Sequence, residues 1–125
     1  MAQINSFRDL ILYRKAYETS MEIFFLTKKY PKEEKYSLTD QIRRSSRSVC
    51  ANVSEAWAKR RYEKVFMNKL TDSLGEEFET ETWLSYSLDC GYIDKTEYIN
   101  LMEKYDEVRK MLIAMINNPD KFCKH

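Results

Sequence analysis

The sequence predicts an all-α fold, an antiparallel four-helix bundle running up-down-up-down. Three observations carry this. The 125 residues hold only two glycines and two prolines, little material for the tight turns of a sheet protein. Apolar residues recur at every third or fourth position through four long stretches. The links between those stretches are short, and short links set consecutive helices antiparallel. A chain of this length suits one domain.

Lysine and arginine number 21 against 20 aspartates and glutamates, a formal net charge of +1. Bulk attraction to nucleic acid is therefore weak, and contact with it needs a local patch. Three cysteines, Cys50, Cys90 and Cys123, form no CxxC pair, which points to a reducing, cytoplasmic setting. The opening MAQINSFRDL lacks the apolar run of a signal peptide, and no stretch reaches 18 uninterrupted apolar residues. Neither export nor a membrane span is expected. His125 is the sole histidine. This argues against a di-iron site built on Glu-x-x-His pairs, an HExxH zinc site, and a Ser-His or Cys-His hydrolase. No metal and no cofactor is expected.

Residues 1–8 read as a short arm, with Ile4 and Phe7 set to tuck against the bundle. The first helix is expected over about residues 9–29, with Leu10, Tyr13, Tyr17, Met21 and Phe24 at helical spacing. Ile23, Phe24, Phe25 and Leu26 are then consecutively apolar, too wide an arc for a helix with a solvent face. They form either a broad core face or a subunit interface. Tyr30-Pro31 stops the helix, because a residue before proline is pushed out of the α region. Lys28, Lys29, Lys32 and Lys35 surround that end and read as a solvated cap on the negative end of the dipole.

The second helix, about residues 38–60, opens on Ser37-Leu-Thr-Asp40, a capping box with Asp in place of Glu. Leu38, Ile42, Ser45, Val49, Asn52 and Ala56 form one stripe. Gln41, Arg44, Ser48, Asn52 and Glu55 form a polar stripe beside it. Polar groups next to an apolar seam need partners, since burial without them costs about 1–3 kcal/mol each. From Gln41 to Arg61 the chain carries Arg43, Arg44, Arg47, Lys59, Arg60 and Arg61 against the single acid Glu55. These six are the candidate phosphate-facing surface. Ion pairing, or the helix end's preference for positive charge, is the plainer account of them. The break into the third helix falls within KRRYEK, which has no glycine, proline or good cap.

The third helix, about residues 62–89, has Phe66, Leu70, Leu74, Phe78, Leu84 and Leu88 on its apolar side. Its middle is acidic, with Asp72, Glu76, Glu77, Glu79 and Glu81, opposite in sign to the second helix. The two faces have the signs to pair within the bundle or between subunits. Glu77 and Glu81, four apart, share one face. Paired carboxylates do acid/base work or hold a metal, but a structural role bonding Ser48, Asn52 or Arg44 is the plainer reading. Cys90-Gly91 ends the helix, with Gly91 free to take the left-handed conformation. Asp94 to Glu97 begins the fourth, about residues 95–117, and Ile93 with Tyr98 has the spacing of a hydrophobic staple. Its core stripe is Tyr98, Leu101, Tyr105, Val108, Leu112 and Met115, and Asn117-Asn118-Pro119 ends it. The tail DKFCKH reads as polar and mobile.

These features together resemble the bacterial four-helix-bundle family first known as proteins encoded by intervening sequences within 23S ribosomal RNA genes. Phe7, Leu10, Tyr13 and Ala16 match its opening pattern, and Tyr30-Pro31 its first turn. Leu38, Thr39, Gln41, Arg44, Ser48, Asn52 and Glu55 match its core motif in order. Glu79-Thr80, Trp83-Leu84 and Cys90-Gly91-Tyr92-Ile93 resemble the third helix and turn of one branch. Ala56 stands where the family commonly has glycine, and KRRYEK replaces a small, serine-containing link. The resemblance implies a left-handed antiparallel bundle and a homo-oligomer, since relatives form five-fold rings. It implies no enzyme, as the family has no established reaction. A related branch, the accessory proteins of diversity-generating retroelements, binds nucleic acid and is strongly basic, which this chain is not.

Three functions follow. The first is a non-enzymatic homo-oligomeric scaffold, pentameric by resemblance, that presents a surface to RNA or a protein partner. In it, Ile23, Phe24, Phe25 and Leu26 form the subunit interface, Gln41, Ser48, Asn52, Glu55 and Glu77 a structural polar network, and the six basic residues any phosphate contact. The second is a nucleic-acid-binding accessory factor of a reverse-transcriptase retroelement. The third is a carboxylate metal site or enzyme using Glu55, Glu77 and Glu81.

Overall fold

A computed structural model describes residues 3–123. Four helices make up the architecture: α1 (Ile11–Thr27), α2 (Leu38–Ala58), α3 (Glu63–Asp89) and α4 (Lys95–Asn117). Among the described residues there is no strand. Cross-helix pairs fix the directions. Lys15 meets Glu107, Glu22 meets Lys104 and Lys29 meets Glu97, so α1 and α4 run antiparallel. Ser73 bonds the Val49 carbonyl and Thr80 meets Ser45, which sets α2 and α3 antiparallel as well. Ile23, Ile42, Phe66, Leu84, Tyr105 and Leu112, from all four helices, are fully buried at the centre.

Helix α1 sits one face away from the expected register. Leu12, Ala16, Thr19, Ser20, Ile23 and Thr27 are buried, whereas Tyr17 and Met21 face out and Tyr13 and Phe24 are half-buried. Small residues let α1 approach the core closely. Their hydroxyls bond carbonyls of their own helix, Thr19 to Lys15, Ser20 to Tyr17 and Thr27 to Ile23 at 2.7–2.8 Å, so no polar group is stranded. The helix starts later than expected because Phe7–Asp9 forms a separate 3-10 turn. Ser6 accepts the Arg8 N–H there, and Asp9 accepts the Ser6 N–H.

The α2 start differs from the expected capping box. Ser37 makes no cap bond; its hydroxyl turns back to Glu34, whose carboxylate also accepts the Leu38 N–H. Glu34 additionally accepts the Tyr92 hydroxyl at 2.7 Å, which ties the α1–α2 and α3–α4 links together at one end of the bundle. At the other end, α2 breaks over Lys59–Tyr62 without glycine or proline. The Arg60 guanidinium donates to the Trp57 carbonyl at 2.8 Å and lies 4.1 Å over the Trp57 ring. An arginine thereby takes one of the orphan carbonyls of the helix end.

The α3 seam also departs from the apolar pattern. Ser73, Glu77, Thr80 and Ser87 are buried along with Phe66, Leu70 and Leu84, while Phe78 points to solvent. Gly91 takes φ +77, and the bonds Gly91 N to Leu88 O and Tyr92 N to Ser87 O close the turn as expected. The Asp94–Glu97 capping box forms with both bonds present. The tail is not free: Pro119–Lys121 makes a 3-10 turn, Phe122 stacks on Phe66 with centroids 6.2 Å apart, and Cys123 is buried. His125 lies outside the described residues.

Candidate interaction surface

The six basic candidates fall into two clusters. Eleven residues of α2 lie between Arg47 and Lys59, about 18 Å along the axis. Arg43 and Arg47 belong to the α1–α2 face, and Arg44 points toward α3. Lys59, Arg60 and Arg61 form the α2–α3 turn.

On the α1–α2 face the organising side chain is Phe24. Arg43 donates from Nε to Thr27 Oγ1 at 2.8 Å and from Nη2 to the Phe24 carbonyl at 3.4 Å. These bonds hold its guanidinium 4.9 Å from the Phe24 ring centre. Arg47 lies 5.8 Å and Lys28 5.0 Å from the same ring, and Lys28 also lies 5.1 Å from Phe25. The two phenylalanine rings pack edge to face at 5.3 Å. Cation–π attraction thus replaces ion pairing. Among the described residues no carboxylate reaches salt-bridge distance of Lys28, Arg43 or Arg47. The face continues down α1 into a groove of about 330 Å³ lined by Tyr13, Tyr17, Met21, Arg47 and Cys50. Burial pushes the Cys50 thiol up to about 12, so it stays protonated.

Of the four consecutive apolar residues of α1, Ile23 is fully buried and belongs to the intrachain core. Phe24 and Leu26 are half-buried, and Phe25 is 60% exposed. An outward surface at this position consists of Phe24, Phe25 and Leu26 with Tyr17 and Met21, two residues that the helical pattern had assigned to the core.

The α2 polar stripe lies at the outer edge of the α2–α3 seam. Gln41 and Arg44 are exposed, and Arg44 reaches Asp40 only at 3.9 Å. Asn52 donates to the Ser48 carbonyl at 3.0 Å, and Glu55 pairs with Lys69 at 2.9 Å, which lowers its carboxyl. None of these residues bonds Glu77. The buried polar seam between the two helices is built instead from Ser45, Ser73 and Thr80, small residues whose single hydroxyls bond backbone or one another.

Glu77 turns its carboxyl toward α4. It is fully buried, with Arg109 Nη1 4.0 Å away. Arg109 spends its stronger bonds on Glu81, at 2.7 Å, and on Asp106. Burial, and then the neighbouring Glu81 carboxylate, raise the Glu77 carboxyl to about 9 despite Arg109. It is neutral at pH 7. Glu55, on the α2–α3 side, shares no partner with Glu77 and Glu81.

Beyond the seam, α3 presents Asp72, Glu76, Glu79, Trp83 and Tyr86 at spacings of four, three, four and three, one helical stripe. Trp83 and Tyr86 pack at 5.9 Å, and Glu79 accepts the Trp83 indole N–H at 3.3 Å. Burial and the charges of Glu79 and Asp72 push the Glu76 carboxyl up, with nearby Arg44 opposing.

The sequence pattern of the 23S rRNA-intervening sequence proteins matches residues 8–114. The chain belongs to that family. The crystal structure of a protein of unknown function from the S23 ribosomal protein family of Bacteroides thetaiotaomicron VPI-5482 is similar, with 32% identity and a TM-score of 0.78. The match covers 86% of this chain and 96% of that one. No curated protein matches the chain. The family span takes in the Phe24 cluster, the α2–α3 seam and the acidic α3 stripe, and it ends before the tail that packs on Phe66. No helix of this family member, among the described residues, is long and apolar enough to cross a membrane.

Proposed function

We propose that this member of the family is a non-enzymatic interaction protein that works as a homo-oligomer of bundles in the cytoplasm. The reading rests on the outer face of α1, where Tyr17, Met21 and Phe25 are 51%, 36% and 60% exposed. They follow at intervals of four and so stand in one row. Rows of large exposed apolar side chains are what subunit interfaces cover. Covering such a side chain contributes about 1.5–3 kcal/mol. The five-fold rings implied by the family resemblance would assemble from 15.1 kDa chains. Light scattering coupled to size exclusion, at low and high salt, tests it. Wild-type chains should run as a multimer of about five, and Phe25→Glu should run smaller. A wild-type monomer at micromolar concentration would overturn the reading.

A second reading, contact with RNA, is favoured at the α2–α3 turn. There Arg60 lies over Trp57 and Arg61 lies 5.9 Å over Tyr62, with Lys59 alongside and no carboxylate paired to any of the three among the described residues. Trp57 is half-buried and Tyr62 is 60% exposed, and cations beside an accessible ring suit single-stranded nucleic acid, as in a scaffold that carries RNA or a retroelement accessory factor. Binding of a single-stranded RNA oligonucleotide should weaken steeply with salt and fall for Lys59→Glu with Arg61→Glu. Binding that is flat in salt counts against it.

A further inference from the structure

We infer that copies of this chain join head to tail, the cationic α1–α2 face of one docking on the acidic α3 stripe of the next. This deepens the homo-oligomer reading and rests on it.

The two faces are complementary in chemistry. One is an aromatic pair, Phe24 and Phe25, surrounded by Lys28, Arg43 and Arg47. The other is an aromatic pair, Trp83 and Tyr86, continued by Glu79, Glu76 and Asp72. Neither set of charges is neutralised at home. Among the described residues, no carboxylate pairs with the three cations and no cation reaches salt-bridge distance of the three acids. Arg44 is close enough to influence Glu76 but does not bond it. Phe25 and Tyr86, 60% and 55% exposed, supply the apolar contact on each side.

Placement favours a closed assembly. The faces flank α2, one on its α1 side and the other on its α3 side, so they are neighbours around the bundle and not opposites. Each added copy is therefore turned relative to the last. The cross-helix bonds also set their heights. Arg43 meets Thr27 of α1, while Ser45 meets Thr80 and Val49 meets Ser73 of α3. Taken in order, Lys28, Arg43 and Arg47 thus stand within about one helical turn of Glu79, Glu76 and Asp72 along the axis, while Tyr86 lies about two turns from the level of Phe25. A contact between two different patches with little axial offset closes into a ring, whereas a large offset runs on as a filament. Charge complementarity of this kind fixes orientation and excludes wrong pairings.

Charge reversal tests this. Lys28→Glu with Arg47→Glu makes one variant, and Asp72→Lys with Glu76→Lys makes the other; none of these four side chains makes a salt bridge or a side-chain hydrogen bond within the chain. Each variant alone should lose assembly, with the half-assembly concentration raised at least about tenfold. A chain carrying all four reversals should regain it, because its reversed face then meets a reversed stripe of opposite charge at every junction, whatever the number of copies in the ring. Circular dichroism melting checks that both variants fold. The milder pair Lys28→Gln with Arg47→Gln should give intermediate assembly. Wild-type-sized oligomers from either variant, or a fourfold variant that folds but stays dissociated while wild type assembles, would overturn the inference and leave the homo-oligomer standing. So would an Arg47 variant that keeps its assembly and loses single-stranded RNA, since the face would then belong to RNA. A monomeric wild type would instead remove the reading beneath it.

Discussion

The hydroxyl oxygens of Ser45 and Thr80 stand 2.8 Å apart at the centre of the α2–α3 seam, both side chains closed off from solvent. Ser45 also reaches the Ile42 carbonyl and Thr80 the Glu76 carbonyl, so each keeps a partner within its own helix. Thr80→Val keeps the shape and removes the cross-helix bond. We expect a loss of about 1 kcal/mol in urea melts. Ser45→Leu should cost more, about 1–3 kcal/mol, because the seam has no room for three added carbons. Equal losses for the two would show that volume does not limit this contact.

Glu77 gives the bundle a pH dependence of unusual sign. Its carboxyl titrates near 4.5 in the unfolded chain but, raised by burial and then by Glu81, near 9 in the folded one. Between those values the folded chain holds more protons, so this contribution is complete below about pH 4.5 and is lost as pH rises, by up to about 1.4 kcal/mol per pH unit. Glu77→Gln is neutral at every pH and lacks that slope. Its melting temperature should gain on wild type steadily from pH 5 to pH 9. A difference that stays constant over that range would mean Glu77 is already ionised in the fold.

The four helices were legible because their ends carry local chemistry. Tyr30-Pro31, Cys90-Gly91 and Asp94–Glu97 act within a few residues, so they survive whatever the tertiary structure does. The faces were less legible. In α1 the pattern of large apolar residues marks the outer surface, and the core takes Ala16, Thr19 and Ser20, whose hydroxyls satisfy themselves. In α3 the apolar spacing put Phe78 inside, while close approach to α2 selects Ser73 and Thr80. Hydrophobicity reports which residues gain from burial, and helix spacing decides which ones fit. The candidate surface was partly readable for the same reason. Arg43 and Arg47 were visible as charge, but Phe24 as their platform appears only once α1 is rotated.

The two glycines should respond in opposite ways. Gly91 holds φ +77, where a Cβ costs about 1–2 kcal/mol although nothing lies within 4 Å of it. Gly75 sits inside α3 with equally open space and an ordinary helical backbone. Gly91→Ala should lower the melting temperature, and Gly75→Ala should raise stability by about 0.5–1 kcal/mol. Thermal melts of the two variants side by side check this. A gain at position 91 would show that the turn relaxes out of the left-handed region.

The tail should matter to stability although it lies beyond the matched family span. Phe66 is fully buried at the start of α3, and its stacked neighbour is Phe122. The 3-10 turn Pro119–Lys121 brings that ring back, with the Phe122 and Cys123 amides both bonding the Pro119 carbonyl. Removing the ring uncovers Phe66 without disturbing α4. Phe122→Ala should therefore cost about 2 kcal/mol in urea melts, below a full core deletion because Phe122 is itself half-buried. Lys121→Ala, exposed and without a side-chain partner, should cost nothing measurable. If Phe122→Ala melts like wild type, the stacking on Phe66 contributes no stability and the tail is free to leave the bundle.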